Sequence, residues 1–273
     1  MFNVNFSIML RFGFLVSFLW LCFSMQAIRI VSLVPSVTYN LQMLDADADI
    51  VGRTSYCPGV KADQSNVVGS VIDVNIEKIV SLKPDVVFAM ELTNKDVVNS
   101  LKRLGLKVIQ YGTPNNFEEI CTQLEDMGRI IGKSAMAQAI TKAERLKVKE
   151  LMARVKPGNS MKVFFEIGAK PLFGVIPGTF MDDYITMAGG QNIIKEVKGG
   201  AVSREFVIQQ KPDVIIITDM GLVGSEEARQ WGAFKQLPAV KSNRIIIVSA
   251  DESCCPTPYF FTKTLAYLIE TLY

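Results

Sequence analysis

The chain has 273 residues, 49% of them hydrophobic and 21% charged, and its 29 basic and 27 acidic side chains leave a formal net charge of +2. That composition excludes a disordered chain, and the interleaving of the charges excludes an electrostatic footprint for nucleic acid. Histidine is absent, which removes Ser-His-Asp and Cys-His nucleophile systems and the H-E-x-x-H metal sites.

The first 27 residues carry one charge, Arg11, followed by an apolar run from Phe12 to Phe23 and the small residue Ala27. The run is shorter than the roughly 20 residues of a membrane span, so residues 1–27 read as an export signal and the protein as periplasmic or otherwise extracytoplasmic. An uncleaved anchor is one alternative. Lipid attachment at Cys22 is another, although Leu21 stands where a small residue is expected.

From Ile28 the pattern is that of parallel α/β architecture. Arg29–Val34 reads as a buried strand stopped by Pro35, with Ser36 capping a helix through Leu44. Further strands are expected at 50–52, 85–90 and 107–111, with helices at 94–104 and 116–131; Glu118 and Glu119 lie in the first turn of the latter, where the helix dipole favours acids. Ser134 to Lys156 contains no Gly or Pro and predicts one long helix of about 35 Å, with Met136, Ala139, Ile140, Ala143, Leu146 and Val155 as its packed face. Strands at 162–167, 214–218 and 244–248 and helices at 179–188, 226–234 and from 257 onward complete the second half. The expected domains are a first lobe at 28–132, an inter-lobe helix at 133–157 and a second lobe at 158–273. A helical connector predicts small opening and closing rather than a wide hinge.

Two segments 128 residues apart repeat each other. Asn75-Ile-Glu77 and Ser203-Arg-Glu205 each begin with a capping residue, continue through a short helix into Lys-Pro-Asp (83–85 and 211–213), and end in a run of β-branched residues. The separation is too long for a solenoid, whose units recur every 20 to 50 residues or so, and implies two similar α/β lobes. Gly128-Arg-Ile-Ile-Gly132-Lys133-Ser134 imitates a phosphate-binding loop, but it has three residues between the glycines instead of four and follows a helix.

The repeated Ile-Glu-Lys-Ile-Val-Ser-Leu-Lys-Pro-Asp segment, the opening Arg29-Ile-Val-Ser-Leu-Val-Pro-Ser36, Val51-Gly-Arg-Thr-Ser-Tyr-Cys-Pro58, Leu104-Gly-Leu-Lys-Val108 and Val202-Ser-Arg-Glu205 occur in an order that covers essentially all of residues 28–273. Together they resemble the helical-backbone periplasmic binding proteins of ABC importers for cobalamin and iron complexes, the cobalamin-binding branch most of all. The resemblance implies an α/β fold of two Rossmann-like lobes with parallel sheets joined by one long helix, the class III periplasmic binding protein fold. It also implies a monomer with no catalytic residue and no resident cofactor or metal. Its cargo would be a cobalamin or related metal chelate, and its partners the membrane subunits of an ABC permease. Glu77 and Glu205 match the carboxylates that dock each lobe onto permease arginines; a glutamate in a helix first turn is also favoured by the dipole alone.

For the ligand site, the carboxyl ends of strands nominate Pro35 and Ser36, 54–57, Met90 and Glu91, 167–173, Asp219 and 251–255. From these, Tyr56, Cys57, Phe173, Asp251 and Cys254 are the candidate ligand-binding residues, Tyr56 matching the cleft tyrosine of the resemblance. Two cleft tryptophans of the cobalamin-binding branch are replaced, one by Val71 and one by the Gly199-Gly200 region; Phe173, Phe180, Trp231 and Tyr259 are aromatic substitutes. Cys57 and Cys254-Cys255 fall on loops expected to face each other across the cleft. Free thiols rank first, with a cross-cleft disulfide and thiolate ligation of a soft metal or cobalt as alternatives. A siderophore held by Arg53, Tyr56 and Arg204, or haem through Tyr56 or Tyr259, is the runner-up cargo. A secreted α/β enzyme is the alternative from another class.

Overall fold

The computed structural model describes residues 27–59, 66–156, 158, 160–195, 199–219 and 222–273. The expected export signal up to residue 26, Cys22 included, lies outside them. No helix among the described residues is long and apolar enough to cross a membrane.

Two separate sheets form. The first takes β1 (Ile30–Ser32), β2 (Ile50–Arg53), β3 (Val86–Met90) and β4 (Val108–Tyr111) in the order β2-β1-β3-β4, all parallel. The second comprises β5 (Met161–Ala169), β6 (Leu172–Gly174), β7 (Gly190–Asn192), β8 (Val214–Asp219) and β9 (Ile245–Ser249). Here β7, β5, β8 and β9 are parallel, and β6 pairs antiparallel with the far half of β5. Set β6 aside and the two sheets follow the same path, with β1, β2, β3 and β4 answering to β5, β7, β8 and β9. That shared path is what a doubled unit predicts. The sequence pattern missed β6 and β7, three residues each and both containing glycine.

The shared plan extends to single hydrogen bonds. In α2 (Ile76–Ser81) the Asn75 side chain accepts the Lys78 N–H at 2.8 Å; in α7 (Arg204–Gln210) Ser203 accepts that of Phe206 at 3.1 Å. Each helix ends at a lysine in the left-handed region, Lys83 at φ 47° and Lys211 at φ 51°. The aspartate that follows each lysine joins its strand to the sheet centre. Asp85 Oδ2 accepts the Arg29 N–H and Asp213 Oδ2 that of Lys162, both at 2.8 Å or less. The reciprocal N–H groups of Asp85 and Asp213 donate to the carbonyls of Arg29 and Lys162.

Each sheet is covered on both faces. In the first, Ile30, Val86, Phe88 and Met90 pack against α1 (Pro35–Met43), α4 (Phe117–Ile130) and Ala137. The alternate residues Val31, Val87 and Ala89 pack against α2 and α3 (Lys95–Arg103), the period-2 alternation of a pleated strand. In the second, Val163, Phe165, Val214 and Ile216 face α6 (Phe180–Met187) and α11 (Pro258–Leu272). On its other side Phe164, Ile215 and Ile217 face α7, Trp231 of α8 (Leu222–Gly232) and Ala239 of α9 (Pro238–Lys241). Each such fully buried Ile or Phe contributes about 1.5–3 kcal/mol.

The connector α5 (Ser134–Met152) is 19 residues long, shorter than 134–156. Its last turn tightens, with Arg154 N–H donating to Leu151 O and Val155 N–H to Met152 O, ahead of Pro157, which disfavours helical backbone before it. Its buried face also differs from the expected one. Ala137, Thr141, Glu144, Val148 and Leu151 are buried, whereas Met136, Ala139, Ala143 and Leu146 are exposed. Hydrogen bonding overrode hydropathy: Thr141 Oγ1 and Arg145 both donate to Glu125 of α4, and Lys147 covers Glu144.

The joint is also broader than a single rod, because α4 runs beside α5 and both reach the two cores. Phe117, Ile120 and Cys121 of α4 enter the second lobe's core while Leu124 and Met127 enter the first. Phe117 stacks on Phe261 with centroids 4.7 Å apart, and its N–H donates to Asp183 Oδ2. The phosphate-loop imitation is the α4–α5 turn. Gly132 takes φ +75°, and a Cβ at Gly128 would lie 2.5 Å from that of Ala137. Ser36 does not cap α1: Val34 is the N-cap residue and Pro35 fills the first helical position, where a missing N–H costs nothing.

Candidate functional site

A cavity of about 720 Å³ opens between the lobes, within the range of small-molecule sites. It lies at the carboxyl ends of the parallel strands, where chain reversal leaves backbone and loops free to meet a ligand. Val34, Pro35 and Ser36 follow β1; Ser55 to Gly59 follow β2; Met90 and Leu92 end β3; Thr113 follows β4. From the second lobe come Phe180 at the head of α6, then Ala250 and Asp251 on α10 (Ala250–Ser253), and Cys254, Cys255 and Pro256 just beyond it.

Of the five candidate ligand residues, Tyr56, Cys57, Asp251 and Cys254 line this cavity together; Phe173 does not. The reason is β6, which pairs Phe173 with Gly168 and bridges it to Ala201, so that Phe173 belongs to the sheet rather than to a strand-end loop. The other strand-end nominees divide similarly. Pro35, Ser36, Met90 and Cys255 line the cavity, whereas Glu91, Asp219 and the 167–173 segment do not. Among the aromatic substitutes only Phe180 lines it. Trp231 is wholly buried and donates to Glu166 Oε2 at 2.7 Å, and Tyr259 is half-exposed beside Phe260. Val71, at the replaced tryptophan position, does reach the cavity.

Tyr39 is the aromatic lining residue that the strand-end nominees do not include. It sits one helical turn after Ser36 on α1, so i, i+3 spacing from a strand-end nominee would have found it. Its ring meets Phe260 of the second lobe edge-on, centroids 4.8 Å apart, a direct contact between the lobes. Burial, with Cys255, Asp251, Glu252 and Cys57 around it, raises its hydroxyl above the ordinary tyrosine value.

Three thiols line the cavity, Cys57 from the first lobe and Cys254 and Cys255 from the second. All are free, as is the buried Cys121. Cys57 is buried and lies 3.2 Å from Thr54 Oγ1. Cys255 is buried too, and its pKa is pushed up to about 12 by burial, with Asp251, Cys254 and Cys57 acting in the same direction. Cys254 is exposed; enclosure by the cleft walls raises its pKa, Ser253 opposes this and Asp251 adds to it.

The arginines offered for a siderophore are both committed elsewhere. Arg53 is buried and donates to Pro58 O at 2.6 Å. Arg204 pairs with Glu227 and Gln230 and lies over the Trp231 ring, 4.6 Å from its centroid. Among the described lining residues Asp251 is the only charged one.

Glu77 and Glu205 are both exposed in the first turns of α2 and α7. These helices cover the sheet faces turned away from α4 and α11. Because each runs antiparallel to the strand it precedes, its first turn lies at the cleft end of its lobe. Its own main-chain N–H, and then the Ser203 side chain, hold the Glu205 carboxyl below the usual value.

Comparison with known proteins agrees with this architecture. A 27% identical relative over 82% of the chain and 73% of its own length is an uncharacterized ABC transporter substrate-binding lipoprotein, YvrC, of Bacillus subtilis. The vitamin B12-binding protein of Vibrio cholerae is 26% identical over 84% of each chain. The crystal structure of a possible iron-binding (periplasmic solute-binding) protein from Staphylococcus epidermidis superposes with a TM-score of 0.78 at 27% identity, covering 90% of this chain and 98% of that one. With residues 30–252 matching the periplasmic binding protein family, this chain belongs to that family, whose members bind and deliver solutes rather than catalyse reactions.

Proposed function

We propose that this protein is the extracytoplasmic component of an ABC importer, capturing a cobalamin or related corrinoid in the inter-lobe cleft and handing it to a membrane permease. The observation that carries this reading is the character of the cleft. It is a cavity of about 720 Å³ walled by both lobes, rich in apolar and aromatic side chains, with no cationic side chain among its described lining. A multiply anionic catecholate siderophore, or haem with its carboxylates, is ordinarily met by arginine or lysine. A corrinoid macrocycle, whose rim carries neutral amides and methyl groups rather than carboxylates, needs no such cation and can be met by walls such as Val71, Leu92, Tyr56 and Phe180. The vitamin B12-binding relative supports the same choice. Haem through Tyr56 is the second reading, supported by the exposure of that ring, 72%, at the cavity mouth and by the use of tyrosine as a ferric haem ligand.

Docking completes the function. Glu77 and Glu205, equivalent positions on two lobes at one end of the molecule, would meet cationic residues on the permease subunits; such exposed pairs guide encounter more than they add affinity, which suits a carrier that must release. The ligand reading is tested by absorbance titration of the purified protein with cyanocobalamin, haemin and a ferric catecholate complex. Saturation by one equivalent of cyanocobalamin without turnover is expected. Saturation by haemin or the catecholate, with none by the corrinoid, overturns the choice of ligand.

A further inference from the structure

Histidine, the usual axial donor to a chelated metal, is absent from the chain. In its place, the cleft presents sulfur. Three of the four described cysteines, contributed by two lobes and by segments about 200 residues apart in sequence, line a single cavity. Among the described residues no three His, Cys, Asp or Glu side chains converge to hold a metal ion. Capture of a bare ion would need such convergence. A chelate that brings its own equatorial donors needs only one further ligand, on its axis.

We propose that the cleft selects chelates having an exchangeable axial position, and that Cys254 fills it through its sulfur. The inference rests on the metal-chelate reading above and deepens it. Geometry singles out Cys254 from the three thiols. Cys57 is buried and engaged with Thr54 Oγ1, with Ser32 O 3.9 Å away. Cys255 is only 8% exposed. Cys254 is exposed, and among the described residues its sulfur has only a weak hydrogen-bond contact, 3.9 Å from Ser253 Oγ. It lines the cavity from the second lobe, while Tyr56 and Leu92 line it from the first, so a macrocycle held between the lobes would meet apolar side chains from one and sulfur from the other.

The step is a ligand exchange without electron transfer. The metal–water bond breaks, the Cys254 S–H bond breaks, a metal–sulfur bond forms, and the proton leaves with the released water as hydronium while the metal keeps its oxidation state. Thiolate is a good axial donor to cobalt and to iron alike. A ligating sulfur is the thiolate, so Cys254 becomes a ligand as a cationic metal centre displaces its proton.

Aquacobalamin, with a replaceable axial water, and cyanocobalamin, whose cyanide occupies that position, serve as paired probes, with haemin as a third. Wild type is expected to bind aquacobalamin more tightly than cyanocobalamin, on the order of tenfold or more, with a change in the corrinoid absorbance bands and release of one proton. In Cys254→Ser the two corrinoids should bind equally and the band change should vanish. A preference and band change that survive in Cys254→Ser, or that disappear instead in Tyr56→Phe or Asp251→Asn, overturn the assignment of sulfur. Tight binding of both corrinoids by wild type with no preference overturns the axial inference while leaving the corrinoid reading standing. A thiolate-type spectrum with haemin alone, lost in Cys254→Ser, supports the sulfur ligand and overturns cobalamin as the cargo.

Discussion

Where α2 carries Ile76, its counterpart α7 carries Arg204, and that one exchange marks how differently two copies of the same unit are anchored. Ile76 packs against an apolar cluster that includes Val31, Leu33, Val74 and Ile79. Arg204 instead stacks on Trp231 and pairs with Glu227, which is 2% exposed, while Trp231 donates to the equally buried Glu166. Burial raises Glu166 to about 7, and the neighbouring Glu227 pushes the same way. The backbone plan of the repeat, cap, left-handed lysine and strand-joining aspartate, tolerated both foundations. What duplication preserved is the placement of an acidic first turn, Glu77 or Glu205, at the cleft end of each lobe.

If that placement exists for docking, breaking it in both copies should have the largest effect. Glu77→Arg with Glu205→Arg is expected to abolish uptake in a reconstituted transport assay while the purified variant still binds its ligand. Uptake at the wild-type rate would return both glutamates to the role of dipole partners for their helices. The next largest effect belongs to the second lobe alone. Because the folded-state pKa of Glu166 is raised from 4.5, the folded chain holds a proton that the unfolded chain releases. The associated stability is fully present below pH 4.5 and is lost as pH rises toward 7, a change of about 3 kcal/mol. Glu166→Gln keeps an acceptor for Trp231 and cannot ionise, so urea unfolding at pH 4.5 and 7.5 should show that much less pH dependence in the variant.

Sequence pattern revealed the fold wherever local chemistry decided it. The caps Asn94, Asn116 and Thr257 stand where the helices begin, and both copies of the repeat were visible as residues before they were visible as topology. It failed where a partner far along the chain decided. The buried face of α5 is set by Glu125 on α4, and a polar Thr141 facing that hydrogen-bonding neighbour, with Glu144 also buried, leaves no apolar period to read. The cleft divides the same way. Tyr56, Cys57, Asp251 and Cys254 follow from the strand-end rule, while Phe173 was lost because β6, a three-residue strand between Pro171 and Val175, carries no pattern of its own.

The strand-joining aspartates allow a matched pair of variants. Asp85→Ala and Asp213→Ala each leave an N–H at the start of a central strand, that of Arg29 or Lys162, without its carboxylate acceptor, a loss of about 1–2 kcal/mol apiece. Asp213 is less exposed than Asp85, so its variant should sit at the upper end of that range and Asp85→Ala at the lower. A negligible change at both would mean that the reciprocal backbone bonds alone hold the strands.

The smallest effect should be the most symmetric. Lys83 and Lys211 are both exposed, both left-handed, and both followed by a buried proline and the joining aspartate. A left-handed backbone costs an L-residue roughly 1–2 kcal/mol, a cost glycine avoids. Glycine also enlarges the unfolded ensemble, which offsets part of that gain. The net expected for Lys83→Gly and for Lys211→Gly is a stabilisation of about 0.5 kcal/mol, equal at the two sites and read as a higher urea midpoint at constant slope. Inequality would be informative in one direction: a smaller gain at Lys211 would show that α7, already fixed through Arg204 and Glu227, needs its turn less than α2 does.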